Sequence, residues 1–525
     1  MIFRLHGIRL RYNRDSIASL KTRILQHLSL KETELVSFSV VRRSIDARKK
    51  PVSLVYTVDC VTTENISHKD ITPPEELKQL EVPVGKMPLP HAPVVVGAGP
   101  AGLFAAYMLA KSGYQPILLE RGQAIEKRMA AIAEFARTRV PNPESNVLFG
   151  LGGAGTYSDG KLTTSLSHPI VGTILHTLVE LGAPERILTD AKPHIGTDLL
   201  QGVVTNLAAK IEEMGGHLFT ETKLTGLKHQ NGKVVGVETS KRSFDTTQVV
   251  LAIGHSARDT WEMLEGTGVA LAPKPFQVGV RVEHPQNWLD TLQYGEGAGH
   301  PALGAADYKV TARIDNVPVF SFCMCPGGHT IATVNEPNQL SVNGMSHHAR
   351  NAPFSSSGIV VTLAPEVYGA VNTESALRFV RTLEKNCFER GGGDYTAPAQ
   401  RLVDMVEGNR STVLPKSSFA FGLTPTSLET LFPPFIYNPI VQALPIFNRR
   451  LPGFIHPESV AIAPEARASS PLRIVRDKDT RQSVSLAGLY PAGEGSGYAG
   501  GIMSAALDGI NAALKIIEQY KPLQG

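Results

Sequence analysis

Residues Val94–Gly122 read VVVGAGPAGLFAAYMLAKSGYQPILLERG, and this stretch decides the fold. A β-branched run, Val94–Val96, predicts a buried strand. Gly97 permits a tight turn, and Gly99 lets backbone approach a diphosphate. Gly102 lets the next helix pack close to the strand. Leu103–Ser112 continues as that helix, whose N-terminal amides suit an anion, and Gly113 stops it. QPILLE is a second strand, ending in Glu120, placed to accept from ribose hydroxyls. The segment therefore predicts a strand–turn–helix–strand unit that binds a dinucleotide. Ala92–Ala110 is uncharged and long enough to mimic a membrane span, but its glycines and prolines break it at the turn.

The same glycine spacing occurs twice more. At Gly150, Gly152 and Gly155, within FGLGGAGTYSDGKL, no long helix or acidic strand end follows. That stretch is expected to be a ligand-contacting loop. At Gly495, Gly497 and Gly500, within SLAGLYPAGEGSGYAGGIMSAALDGINAALKII, a strand, a turn carrying Glu494 and a long apolar helix follow in order. No second acidic strand comes after it. This segment is expected to return to the first domain and complete it.

Outward from these motifs the chain divides. Residues 1–70 predict a small β-α-β-β domain: strands in IFRLHGIRLR, LVSFSVVRR and SLVYTVDCVTT, and a helix with apolar spacing at Ile17, Leu20, Ile24 and Leu28. Residues 71–93 hold six prolines and are expected to be a linker. Residues 94–258 are expected to form the first part of the nucleotide domain, with a helix over Thr197–Gly216. HLFTETKLTGLKH, KVVGVETS and TTQVVLAIG follow as strands, with Asn231-Gly232 turning a hairpin. Residues 259–480 are expected to be a mixed α+β substrate domain, and 481–525 the C-terminal return.

The chain of 525 residues is 42% hydrophobic and 19% charged, as in globular proteins, with net charge +4. Residues 1–60 carry 12 Lys and Arg against 5 Asp and Glu, so the rest is slightly acidic. Basic residues Arg42, Arg43, Arg48, Lys49 and Lys50 raise the reading of an RNA-modifying enzyme. The segment lacks interleaved aromatics for base stacking, and nucleic acid is not the expected partner. The charged N-terminus is no signal peptide, and four cysteines are too few for a disulfide framework, so a reducing, cytoplasmic setting is expected. Hydrolase, kinase and zinc-protease motifs are absent from the sequence.

V-x-G-x-G-P-A-G…LLE together with the C-terminal LYPAGEGSGYAGG resembles the glutathione-reductase-like FAD flavoproteins. ESNVLFGLGGAGTYSDGKLTTS, FSFCMCPGG, NGMSHHAR and GLYPAGEGSGYAGGIMSAALDGI are similar to the uncharacterised bacterial FAD-dependent dehydrogenases. Two departures stand out from these patterns: Glu494 replaces the commoner Asp, and Leu151 stands where that family has Glu. The resemblance implies an FAD-dependent oxidoreductase with a Rossmann-like domain of parallel sheet and β-meander, acting on a small molecule. It implies cofactor contacts at Gly97, Ala98, Gly99, Pro100, Ala101 and Gly102 in the first turn. Glu120, Arg121 and Arg128 follow the second strand, then Gly153, Ala154 and Lys161. Leu224, Ala252 and Gly254 are implied from the meander and the strand after it. Gly493, Glu494, Gly500, Gly501 and Ile502 are implied at the return, where the last helix would stabilise anionic reduced flavin.

Substrate-side candidates are Lys161, over the ring or against a substrate carboxylate, and His255. His347, adjacent to His348, is a candidate general acid. Cys325 is paired with Cys323; in a regular strand the two would share a face at roughly 6.6 Å, a poor disulfide spacing. Two thiols are too few for a closed zinc site, and no metal is expected. No second nicotinamide domain is visible, so NAD(P)H is expected only as a transient donor near the flavin. A flavin-bound regulatory protein and an NAD-only dehydrogenase are the competing readings. The latter is opposed by the C-terminal return.

Overall fold

The computed structural model describes residues 1–75, 82–164 and 168–523. A five-stranded sheet carries the fold, in the order Leu489–Pro491, Val249–Leu251, Val94–Val96, Ile117–Leu119 and His217–Phe219. Every pairing in it is parallel. The short strands are apolar at nearly every position because both faces are covered. Val95, Leu118, Val250 and Tyr490 point to helices Pro100–Lys111, Thr197–Glu213 and Ile502–Ile517. Val94, Val96, Leu119 and Val249 point to the other side, where Leu224, Leu227, Val234 and Val237 of an antiparallel meander meet them. Helices Pro100–Lys111 and Ile502–Ile517 lie so close that a Cβ on Gly509 would sit 1.9 Å from the Ala101 carbonyl oxygen. The return of the C-terminal segment is what completes the sheet.

The hairpin forms at Asn231 and Gly232, with φ of 50° and 72°, as a primed turn requires. HLFTETKLTGLKH is not one strand. His217–Phe219 ends the parallel sheet and Leu224–Gln230 opens the meander, with Glu221 (φ 53°) turning the chain between them.

Residues beyond Gly254 build a second, mostly antiparallel sheet. Its order is Thr311–Ile314, Val317–Ala332, Phe354–Leu363, Phe276–Pro285, Val460–Glu465, Ala397–Arg401 and Leu423–Pro425. Val342–Met345 pairs with Val317–Ala332 off that path. Helices Thr373–Gly391 and Pro434–Arg450 contribute to the same apolar core.

The N-terminal unit follows β-α-β-β and adds a short fourth strand, Ile71–Thr72, against Ile2–Arg11. The unit therefore extends two residues into the expected linker, of which residues 76–81 lie outside the described residues. Leu20, Ile24 and Leu28 are buried on the sheet, whereas Ile17, at the first helical position, is exposed. Arg43 docks the unit on the main body. Its amide donates to Thr189 O at 2.7 Å, and its guanidinium meets Asp15 and Ala302 O. Among the five basic residues, Lys50 also donates to Gln293 O, and Arg48 pairs with Asp46 at 2.8 Å.

Candidate functional site

The two sheets meet at a long cleft with about 1640 Å³ of empty space, open solvent included. One end is built by the opening motif. Gly97 adopts φ +95°, and a Cβ there would lie 2.3 Å from Ala252 O. A Cβ on Gly102 would lie 1.8 Å from Gly97 O, so the turn needs glycine at both places. Gly99, Pro100 and Ala101 line the cleft, and Gly99 is the N-cap of a helix with no side-chain cap. The loop Gly153–Tyr157 closes over this turn; a Cβ on Gly153 would come 2.9 Å from Gly99 Cα. A second uncapped helix N-terminus, at Gly501, opens into the same cleft with Ile502 and Ala505. Two sets of orphan amides, separated by glycine-lined walls, suit an extended anionic ligand. An FAD diphosphate and flavin edge fit these two ends.

Gly97, Glu120, Arg121, Ala154, Lys161, Leu224, Ala252, Gly254, His255, Gly493 and Glu494 also line the cleft. The Glu120 carboxylate accepts from the amides of Ala98 (2.9 Å), Gly122 (2.8 Å) and Gly150 (2.9 Å). It therefore fastens the two glycine turns together, and of its roughly four acceptor sites one is left, on Oε2. Arg121 is clamped by Asp259 and Glu144 and lies over the Phe149 ring. Glu494 accepts from the Ser470 amide at 3.2 Å; burial pushes its carboxyl up to about 7, with Lys274 opposing.

Four expected contacts are not on the cleft lining. Ala98 and Gly102 pack inside the turn, and Gly500 is exposed, with its Cβ position 3.2 Å from Glu494 Oε2. Arg128 is fully buried and donates to the carbonyls of Asn146, Leu151 and Gly153, so it shapes the glycine-rich loop from beneath. Leu151 joins the buried apolar cluster there.

The other end of the cleft is polar. Asp159 is 1% exposed and pairs with Arg350 (2.5 Å) and Lys161 (3.1 Å). Burial alone would raise its carboxyl, but Lys161 and Arg350 hold it well below the usual carboxylate range. The same pairing keeps the Lys161 ammonium above its ordinary value against burial. His255 is pushed down to about 4 by burial and then by Arg467 and Arg258, so its ring is neutral at physiological pH. Arg467, on the cleft wall, makes a bidentate pair with Glu384, which also accepts from Arg258 at 2.9 Å.

His347 is not on a strand. It sits exposed in the turn after Val342–Met345, near the His329 ring and away from the cleft. Cys325 is buried, and Cys323 is the thiol that lines the cleft. The Asp159–Arg350 clamp and Arg467 escaped the sequence reading. The available signal for Arg467 was a charge inside the apolar run AIAPEARA. In the N-terminal unit, His27, His68 and Asp70 bring ligand atoms within 4.8 Å of one another. That group is closed on itself: His27 Nε2 lies 3.0 Å from Asp70 Oδ2, and His68 Nδ1 accepts the Asp70 amide.

Residues 275–468 match the family described as "FAD-dependent protein, C-terminal domain-like". Residues 201–296 match "FAD dependent oxidoreductase", 95–132 match "NAD(P)-binding Rossmann-like domain", and 4–61 match a domain of unknown function. An uncharacterised protein of Clostridium beijerinckii is 38% identical over 532 residues, covering 99% of each chain. The chain belongs to this family of FAD-dependent oxidoreductases. The oxidoreductase is also 28% identical to the FixC protein of Escherichia coli O157:H7 over 310 residues, which span 52% of this chain and 64% of FixC. Among solved structures, the halogenase PltM in complex with FAD is 11% identical, with a TM-score of 0.36 over 81% of this chain and 67% of that one. A geranylgeranyl bacteriochlorophyll reductase-like protein of Thermoplasma acidophilum is 11% identical, with a TM-score of 0.34 over 81% and 78%. Among the oxidoreductase's described residues, no helix is long and apolar enough to cross a membrane.

Proposed function

We propose that this oxidoreductase moves a hydride between the flavin N5 and a small organic anion held at the polar end of the cleft. The observation that carries the reading is the charge balance there. Lys161 and Arg350 share the single carboxylate Asp159, which leaves surplus positive charge beside an apolar wall and favours an anionic substrate. Arg258 and Arg467 are balanced by Glu384 and Glu336. FAD supplies two-electron chemistry when bound. The protein's part is position: the glycine turns hold the diphosphate, Ile502 begins the helix aimed at the flavin edge, and Lys161 holds a substrate carboxylate. Neutral His255 can donate or accept a hydrogen bond without adding charge. NAD(P)H enters the same cleft as a transient donor, since the parallel pair of the second sheet, Ala397–Arg401 with Leu423–Pro425, has no G-x-G-x-x-G turn between its strands to hold a dinucleotide.

The test is the visible spectrum of the purified protein, followed anaerobically with NADH or NADPH. A two-band flavin spectrum bleached by one nucleotide supports a reductase. A yellow protein that neither nucleotide bleaches supports a dehydrogenase driven by its organic substrate. A colourless protein that FAD cannot reconstitute overturns the reading. The RNA-modifying alternative is weakened by the basic segment itself, where Arg43 and Lys50 are spent on docking.

A further inference from the structure

The strand Val317–Ala332 does not run evenly through FSFCMCPGG. Its register with Phe354–Leu363 slips between Phe322 and Cys325 and again between Cys325 and Gly328. Cys323 lies at the first slip with φ +45°, a left-handed backbone that costs a side-chain-bearing residue about 1 kcal/mol or more. The regular alternation that would hold the two sulfurs apart is thereby broken. The Cys325 thiol donates to Cys323 O at 3.3 Å.

Cys323 is half-buried on the cleft wall, with Cys325 buried beneath it. Two cations flank the pair. Arg281 donates to Cys323 O at 2.7 Å and to Cys325 Sγ at 3.4 Å, and the Lys161 ammonium donates to the Met324 carbonyl between them. Glu465, paired with Arg281 at 3.2 Å, is the carboxyl on that side, and burial pushes it up to about 7. The neighbouring Cys325 holds the Cys323 thiol below its ordinary value, with Lys161 and Arg281 helping and burial opposing. The same contact raises Cys325. The other two cysteines differ: burial pushes Cys60 up to about 12 and raises Cys387 as well.

We propose that Cys323 and Cys325 form a thiol–disulfide exchange site in the cleft wall, with Cys323 the attacking thiolate and Cys325 the resolving thiol, acting on a low-molecular-weight disulfide. Cys323 Sγ attacks one sulfur of the disulfide RSSR. The S–S bond breaks, the mixed disulfide Cys323–S–S–R forms, and RS⁻ leaves and takes a proton from water. Cys325 then gives its proton to solvent and attacks Cys323 Sγ. The second RS⁻ leaves and the Cys323–Cys325 disulfide closes. The protein is oxidised by two electrons, and RSSR is reduced to two thiols. The proposal rests on the cofactor reading only for the cleft's position beside the flavin; the exchange itself needs no flavin.

The experiment uses full-length protein and 2,2′-dithiodipyridine, with and without FAD. The wild type is expected to release two equivalents of thiopyridone quickly and to give a peptide disulfide joining Cys323 to Cys325. Cys325→Ser is expected to release one equivalent and retain a pyridyl adduct on Cys323. Cys323→Ser is expected to lose the fast phase, slowing by about 100-fold. Iodoacetamide alkylation of Cys323 is expected to have a pH midpoint well below about 8.5 in the wild type. In Cys325→Ser it should move toward about 8.5, the ordinary thiol value. Cys387→Ser should change none of this. A wild type that keeps a stable pyridyl adduct, or alkylates with a midpoint near about 8.5, overturns the proposal. A colourless protein with an intact fast phase defeats the cofactor reading and leaves the thiol site standing.

Discussion

Glu384→Gln tests the buried charge cluster that supports the cleft wall. Glu384 is fully buried on helix Thr373–Gly391 and accepts three hydrogen bonds, two from Arg467 and one from Arg258, all at 2.9 Å. Glutamine keeps the volume but removes the charge and turns one oxygen into a donor facing a guanidinium N–H. Arg258 retains Glu336 at 2.6 Å, but Arg467 retains only the neutral Asn335. Removing one partner from a buried ion pair costs about 3–5 kcal/mol. For a cooperative unit the size of residues 259–480, each kcal/mol lowers Tm by about 2–4 °C. The apparent Tm by scanning fluorimetry should therefore fall by at least about 6 °C. FAD should leave the variant faster on ultrafiltration, because Arg467 lines the cleft. Replacing all three groups at once, by Glu384→Leu, Arg258→Met and Arg467→Met, should recover more than half of the loss, because the uncompensated charge is gone. A Glu384→Gln protein melting within about 1 °C of wild type would refute the reasoning, since that corresponds to well under 1 kcal/mol.

Three further outcomes are expected. Gly102→Ala places a methyl group 1.8 Å from Gly97 O, so the first turn must open and FAD retention should fall at least about ten-fold. Gly202→Ala, in an exposed helix position with no atom near its Cβ site, should leave FAD in place. Glu494 has a folded-state value near 7, above its ordinary 4.5. The folded protein therefore binds the extra proton, and this group's contribution is fully present below pH 4.5 and lost as pH rises through 7. Urea midpoints of the apoprotein should show that Glu494→Gln removes up to about 3 kcal/mol of that pH-dependent difference. An unchanged difference between the two proteins would count against the burial cause. Arg43→Met should speed hydrogen exchange at Thr189–Ala191, where its backbone and side chain dock the N-terminal unit. Unchanged protection there would show that the guanidinium contributes little.

The nucleotide half was legible because its signals are local. Gly97, Gly99 and Gly102 sit within six residues, and an apolar strand and helix flank them. The C-terminal return was legible for the same reason. The second sheet was not. Its strands bury Arg281, Glu283, His284 and Ser355–Ser357, so the apolar alternation that marks a strand is interrupted by polar groups satisfied only in three dimensions. Glu283, for instance, accepts from Thr330 and Ser417, far away in sequence. Asp159 carries no local signal, because its partner Arg350 is 191 residues away. Arg128 stood among the cofactor contacts only because the resemblance implies it. Its carbonyl partners belong to a loop whose path no periodicity reveals.

The edge strand Leu489–Pro491 and the helix after it join a sheet whose central strand is Val94–Val96. Translation makes these pieces nearly a whole chain apart. The nascent polypeptide must emit the entire second sheet before the nucleotide cleft gains its second helix N-terminus at Gly501. Until the last helix is made, the apolar helix Pro100–Lys111 lacks its neighbour and exposes Ala101, against which Gly509 packs. Newly made chains should therefore depend on chaperones in proportion to synthesis time, and the cleft is complete only after Gly501 has been made.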